Sequence, residues 1–293
     1  YKVGARNENP EKTGYAHLFE HLMFSGSKNT ESFDESLQVA GGESNAWTSN
    51  DITNYYDIMP AHNVETAFWL ESDRLLHLSL TEKKLEVQKS VVVEEFKQRC
   101  LNRPYGDVSH IIRNAAYKVH PYKWPVIGLD TEVIASATID DAWDFFNNHY
   151  SPDNLIMCVS GNIEFEYAIE LTEKWFGGIP SRNIVKQEIP VEPIQLQPQS
   201  LRVERDVPQN MILKAYHMCG RTHADYQVSD IISDVLANGN SARFFRNVLM
   251  KLSTLNVASK AAIICLLFKV LNYVGIAALL YSIYCAIYVY AHS

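Results

Sequence analysis

The sequence predicts a sheet covered by helices, of α/β or α+β class, and three observations carry that expectation. Helical and extended patterns are interspersed along the chain rather than segregated. Hydrophobic residues make up 47% and charged residues 20% of the 293 residues, which is enough apolar material for a core and too little charge for a disordered chain. A proline-punctuated polar stretch in the middle is followed by a second strand-then-helix pattern, so the plan is repeated at least in part.

The elements follow in order. Residues 14–23 read as a short helix rich in histidine. Residues 30–40 and 64–78 are amphipathic, and 81–100 form the longest helical stretch, with Thr81 a suitable N-cap before Glu82. Residues 138–149 and 164–176 follow the same periodicity. Strands are expected at 43–48, 53–59, 155–160 and 211–217. The first domain is expected to span 1–180. Residues 181–209, with Pro190, Pro193, Pro198 and Pro208, read as a linker. Residues 210–293 read as the start of a similar second domain, with a helix at 224–236 and an atypical hydrophobic tail over 261–293.

Composition excludes some functions. The formal net charge is −8 and no Lys/Arg cluster interrupts it, so a nucleic-acid partner is not expected. The five cysteines are scattered and odd in number, with no Cys-x-x-Cys pair, so a disulfide framework is not expected. Unpaired thiols suit a bacterial periplasm and a cytoplasm equally.

The chemistry concentrates at His17-Leu18-Phe19-Glu20-His21. On a helix, positions i and i+4 share a face, so His17 and His21 project side by side at a spacing suited to one Zn²⁺. Glu20 precedes the second histidine, giving the inverted order His-x-x-Glu-His. A catalytic zinc takes three protein ligands and keeps one position open. A carboxylate in an apolar helical stretch is costly unless paired or bound to metal. Val91-Val92-Val93-Glu94-Glu95 offers two, and Gln88 shares a helix face with Glu95. Glu20, outside the ligand set, is free to act as general base.

The surroundings of these residues resemble a known family. Gly14-Tyr15-Ala16-His17-Leu18-Phe19-Glu20-His21-Leu22-Met23-Phe24, Asn45-Ala46-Trp47-Thr48-Ser49, Glu94-Glu95 and His120-Pro121-Tyr122 are similar to pitrilysin-type inverted zinc peptidases, most of all the shorter bacterial members. So are His149-Tyr150-Ser151-Pro152-Asp153-Asn154, Gly161-Asn162, Phe176-Gly177-Gly178-Ile179-Pro180 and, more faintly, Asn238-Gly239-Asn240. The resemblance implies an α+β fold: a mixed sheet with helices packed on it, duplicated to form half of a clamshell, with the second copy incomplete here. It implies His17, His21 and Glu95 as ligands of one zinc ion, with Glu94 the alternative if the register is shifted. Glu20 would be the general base, Gln88 a polar support behind the ligands where the family usually has glutamate, and Asn45, Ala46, Trp47 and Thr48 the strand that pairs with a peptide substrate.

The resemblance therefore implies a zinc endopeptidase acting on peptides or unfolded polypeptide. The alternative is a non-catalytic binding or assembly subunit of the same fold. Family enzymes complete the site with an arginine and a tyrosine from the second half, and Lys251-Leu252-Ser253-Thr254-Leu255-Asn256 offers neither. Either the sequence is incomplete, or a second copy of this chain or a different partner subunit supplies the missing wall. The run 273–291 carries no charge and is long enough to span a bilayer, which makes membrane contact one reading of it. A buried apolar segment, or sequence foreign to the fold, are the others, and the abrupt end of the second domain favours these.

Overall fold

The computed structural model describes residues 1–208 and 210–249, together with the strands at 267–272 and 285–291. In chain order the main elements are α1 (Tyr15–Leu22), α2 (Phe33–Val39), β1 (Glu43–Thr48), β2 (Thr53–Ile58), α3 (Val64–His77) and α4 (Glu82–Phe96). There follow α5 (Val108–Ala116), α6 (Thr131–Ala135), α7 (Ile139–His149), α8 (Phe165–Phe176), β3 (Gln199–Arg205), β4 (Met211–Cys219), α9 (Tyr226–Ala237), β5 (Leu267–Asn272) and β6 (Cys285–Ala291). The chain divides into two compact units, one of residues 1–98 and 124–189, the other of 99–123 and the residues from 190 onward.

The first unit is built around α1, which packs against α4, α7 and β1. Its Ala16, Leu18, Phe19 and Leu22 are buried. Phe19 meets Tyr150 at 4.6 Å and Phe145 at 5.4 Å between ring centroids. Each buried Leu or Phe side chain among these contributes roughly 2 kcal/mol relative to exposure. The start of α1 is set by close backbone contact. Gly14 (φ 91°) and Gly128 (φ 93°) lie back to back. A Cβ on Gly128 would come within 2.9 Å of the Thr13 carbonyl oxygen, so both positions need glycine.

β1 and β2 form an antiparallel hairpin, with Asn45 opposite Tyr56 and Thr48 opposite Thr53. Beneath it lies a buried cation. The Arg74 guanidinium is paired with Glu71 and sits over the rings of Phe33 (4.2 Å) and Tyr55 (4.6 Å). α4 starts at Thr81, whose hydroxyl oxygen accepts the Lys84 amide at 3.3 Å, and it buries Leu85, Val92 and Phe96. It ends at Phe96 and passes into a π-helical turn (Lys97–Leu101), four residues short of the expected α-helical end.

In the second unit the strand order is β3-β6-β4-β5, with β3 parallel to β6, β4 antiparallel to β6 and β4 parallel to β5. This is the expected mixed sheet. Val108, Ile112 and Ala115 of α5 are buried with Val207, Met211, Leu213 and Ala215. The stretch 181–209 contains β3 and also Glu192, which is buried. The Glu192 carboxylate accepts the backbone amides of Lys118 (2.7 Å), Val119 (3.0 Å) and His120 (2.9 Å).

One sequence expectation is corrected. Residues 155–160 form no strand. Alternating apolar residues favour extended backbone, but a strand also needs a neighbour's N–H and C=O groups, and none among the described residues supplies them. Of the run 273–291, Cys285–Ala291 is β6 rather than part of a helix, and 273–284 lie outside the described residues, as does the segment 250–266. Among the described residues, no helix is long and apolar enough to cross a membrane.

Candidate metal centre

α1 delivers two histidines one turn apart. The His17 and His21 rings lie 4.9 Å apart between centroids at 84°. Burial of the opposite, apolar face of α1 fixes the direction in which they project. α4 crosses nearby and brings in Glu95. Its Oε2 lies 3.6 Å from His17 Nε2 and 3.5 Å from His21 Nε2. His17 is buried, and His21 and Glu95 are partly exposed, at 26% and 19% for their side chains.

The donor set fits a divalent zinc ion. All three candidate ligand atoms lie within 4.8 Å of one another. Tetrahedral ligands on arms of about 2.1 Å stand roughly 3.4 Å apart. The distances from Glu95 to both imidazoles match that edge. Two neutral imidazoles and one carboxylate also leave a fourth position for water or substrate.

The remaining sequence candidates can now be placed. Glu94, the alternative ligand, points elsewhere: it is 60% exposed and pairs with Lys97 at 2.7 Å. Gln88 lies on α4, half-buried, and is not among the three residues whose ligand atoms converge. Glu20 lies on α1 between the histidines in sequence, half-buried, and likewise outside the converging set. Asn45, Ala46, Trp47 and Thr48 form the outer strand of the hairpin, half-exposed to exposed along their length. The Ala46 amide donates to Asn45 Oδ1 at 2.8 Å.

Two contributors were not apparent as such in the sequence. The Thr48 hydroxyl donates to Glu20 Oε2. The Glu8 carboxylate, fully buried, accepts the amides of Gly14 (3.0 Å) and Ala16 (2.8 Å) at the start of α1. Burial pushes the Glu8 carboxyl up to about 8, against the pull of those amides. The hydroxyls of Tyr55 and Tyr150 are 2.8 Å apart. Burial raises both phenols well above their ordinary range, and the nearby Glu20 charge adds to it. A glutamate in Asn7-Glu8-Asn9-Pro10 carries no sequence signal of burial.

Residues 1–129 match the model of Insulinase (Peptidase family M16), and residues 136–259 match that of the Peptidase M16 inactive domain. The chain is 33% identical over 249 residues to zinc protease PqqE of Helicobacter pylori, an alignment covering 83% of this chain and 55% of that protein. It is 28% identical over 248 residues to zinc protease YmxG of Bacillus subtilis, covering 84% and 59%. The crystal structure of a protease from Helicobacter pylori superposes with a TM-score of 0.79 at 33% identity, covering 86% of this chain and 62% of that one. The chain belongs to the M16 family of peptidases. It spans little more than half the length of the relatives it matches.

Proposed function

We propose that this chain is the metal-carrying part of a zinc endopeptidase that hydrolyses peptides or unfolded polypeptide segments. His17, His21 and Glu95 hold one Zn²⁺, and Glu20 is the general base. The observation that carries the proposal is the convergence of those three ligand atoms within 4.8 Å, with Glu20 on the same helix but outside the set. Relatives named zinc proteases support the metal and the reaction class.

When bound, zinc supplies a Lewis acid that polarises the scissile carbonyl and acidifies water. The chain's own residues do the rest. Glu20 takes a proton from the attacking water on its carboxylate and returns it to the leaving amide nitrogen. The substrate backbone pairs along β1, displacing the local bond between Ala46 N–H and Asn45 Oδ1. Such pairing requires an extended segment, which a folded substrate does not offer. Gln88 supports the ligand face of α4. A further segment of the protein, a second copy or a partner chain completes the wall of the site.

A second reading is a non-catalytic binding or assembly subunit. The match of residues 136–259 to a domain described as inactive favours it. The two separate in one experiment, in which the zinc-loaded chain, alone and with candidate partner chains, is offered a quenched fluorogenic peptide. Hydrolysis abolished by a chelator and by Glu20→Gln is expected. Persistent cleavage by Glu20→Gln would remove Glu20 from its role. Stoichiometric zinc with no hydrolysis in any combination would favour the binding subunit.

A further inference from the structure

A glutamate reaches its carboxylate through three rotatable bonds, so the position of Glu20 on α1 does not aim it. Something outside α1 must. The Thr48 hydroxyl, at the last residue of β1, donates to Glu20 Oε2. We propose that Thr48 is a positioning residue for Glu20, so that the strand expected to pair with the peptide also aims the base expected to act on it. This deepens the peptidase assignment and rests on it.

Three features make the contact suited to the task. First, the donor stands on a rigid element. Thr48 is paired with Thr53 across the hairpin, and the Ser49 amide donates to the Ile52 carbonyl at 2.8 Å, closing the turn just beyond. Second, threonine is branched at Cβ, which restricts χ1 and holds the hydroxyl in place. Third, a hydroxyl donating to a carboxylate is stronger and shorter than a neutral hydrogen bond, and it leaves the other carboxylate oxygen unconstrained by Thr48. A shift of β1 on loading a peptide would therefore move the base with it.

A merely structural stitch between α1 and β1 would show the same hydrogen bond, so the test must separate the two. Thr48→Val keeps the shape and removes the donor, and Thr48→Ser restores the donor with less shape. On the quenched peptide, Thr48→Val is expected to lower kcat by about tenfold with KM changed less than about twofold. Thr48→Ser should recover most of the loss, and zinc content should be unchanged in both. Equal losses in Thr48→Val and Thr48→Ser, or a kcat within about twofold of the unsubstituted chain, would overturn the proposal.

A second readout needs no activity. Thermal unfolding of the metal-free chain is compared for Thr48→Val, Glu20→Ala and the double variant. Non-additive shifts are expected, because the second substitution removes a contact already lost. Additive shifts would show that Thr48 does not hold Glu20. If the unsubstituted chain with every partner fails to cleave peptide while this cycle is non-additive, the peptidase assignment falls and the Thr48–Glu20 contact stands.

Discussion

The buried carboxylate of Glu8 accepts the Ala16 amide at 2.8 Å, and the Gly14 amide at 3.0 Å, closing the end of the helix that carries both histidines. α1 has no side-chain cap of its own, since its N-cap is Gly14. Glu8 therefore satisfies two amides that would otherwise be buried without acceptors. Glu8→Ala should destabilise the protein by about 1–3 kcal/mol in urea unfolding. Because Glu8 is raised to about 8 from an ordinary 4.5, its folded form binds a proton more tightly than its unfolded form. Its contribution is fully present below about pH 4.5 and is lost as pH rises through 8. Glu8→Gln should flatten that decline, read as unfolding midpoints across the same range.

How far the sequence carried the argument differs between parts of the site. β1 is found at 43–48 as its alternation indicated, and α1 differs by one residue at each end from the expected 14–23, because periodicity within a single element is a local property. The pairing of His17 with His21 is local too, one turn apart on one helix. Glu95 is 74 positions beyond His21, and apolar context alone left Glu94 beside it as an alternative; only the crossing of α4 over α1 separates the two. Glu8 and the Thr48–Glu20 bond depend wholly on tertiary packing and had no local signature. Residues 155–160 show the reverse failure, since a good strand pattern needs a partner that the pattern itself cannot supply.

Asp57 on β2 is a second, half-buried carboxyl with a raised value. Burial first, and then the charge of Glu71, push it up to about 7, while Arg74 pulls it down. Its folded value lies above its ordinary 3.8, so its contribution is present below about pH 4 and is lost as pH rises to 7. Asp57→Asn removes the charge and keeps the shape. It should raise the unfolding temperature at pH 8 by several degrees and leave it little changed at pH 4, as followed by circular dichroism.

His149, at the end of α7, moves stability the other way. Its ring lies 4.6 Å from that of Phe145, and burial lowers it from 6.5 to about 4. The unfolded chain binds the proton more tightly, so stability from the neutral imidazole is present above about pH 6.5 and is lost as pH falls through 4. Between pH 5 and pH 7 this gain opposes the losses from Glu8 and Asp57, so it offsets part of the decline in stability as pH rises. His149→Gln should steepen that decline, read as unfolding midpoints at pH 5 and pH 7, and an unchanged slope would show that His149 does not contribute.

The proposed metal set is tested most sharply by its third member. Glu95 Oε2 stands 3.6 and 3.5 Å from the two imidazole Nε2 atoms, whereas its neighbour Glu94 is exposed and held by Lys97. The two residues share a charge and adjoin in sequence, so any general effect of acidity on α4 would be common to both. Substitution beside a metal ligand typically costs 10–100-fold in affinity, and loss of a ligand should cost at least about a hundredfold. Glu95→Gln should therefore weaken zinc affinity by that amount in a chelator competition, with the fold retained by circular dichroism. Glu94→Gln should bind zinc as the unsubstituted chain does, because the contact it loses is an exposed ion pair worth at most about 1 kcal/mol. Equal weakening in both variants would mean that α4 acts through its field and not through Glu95 as a ligand.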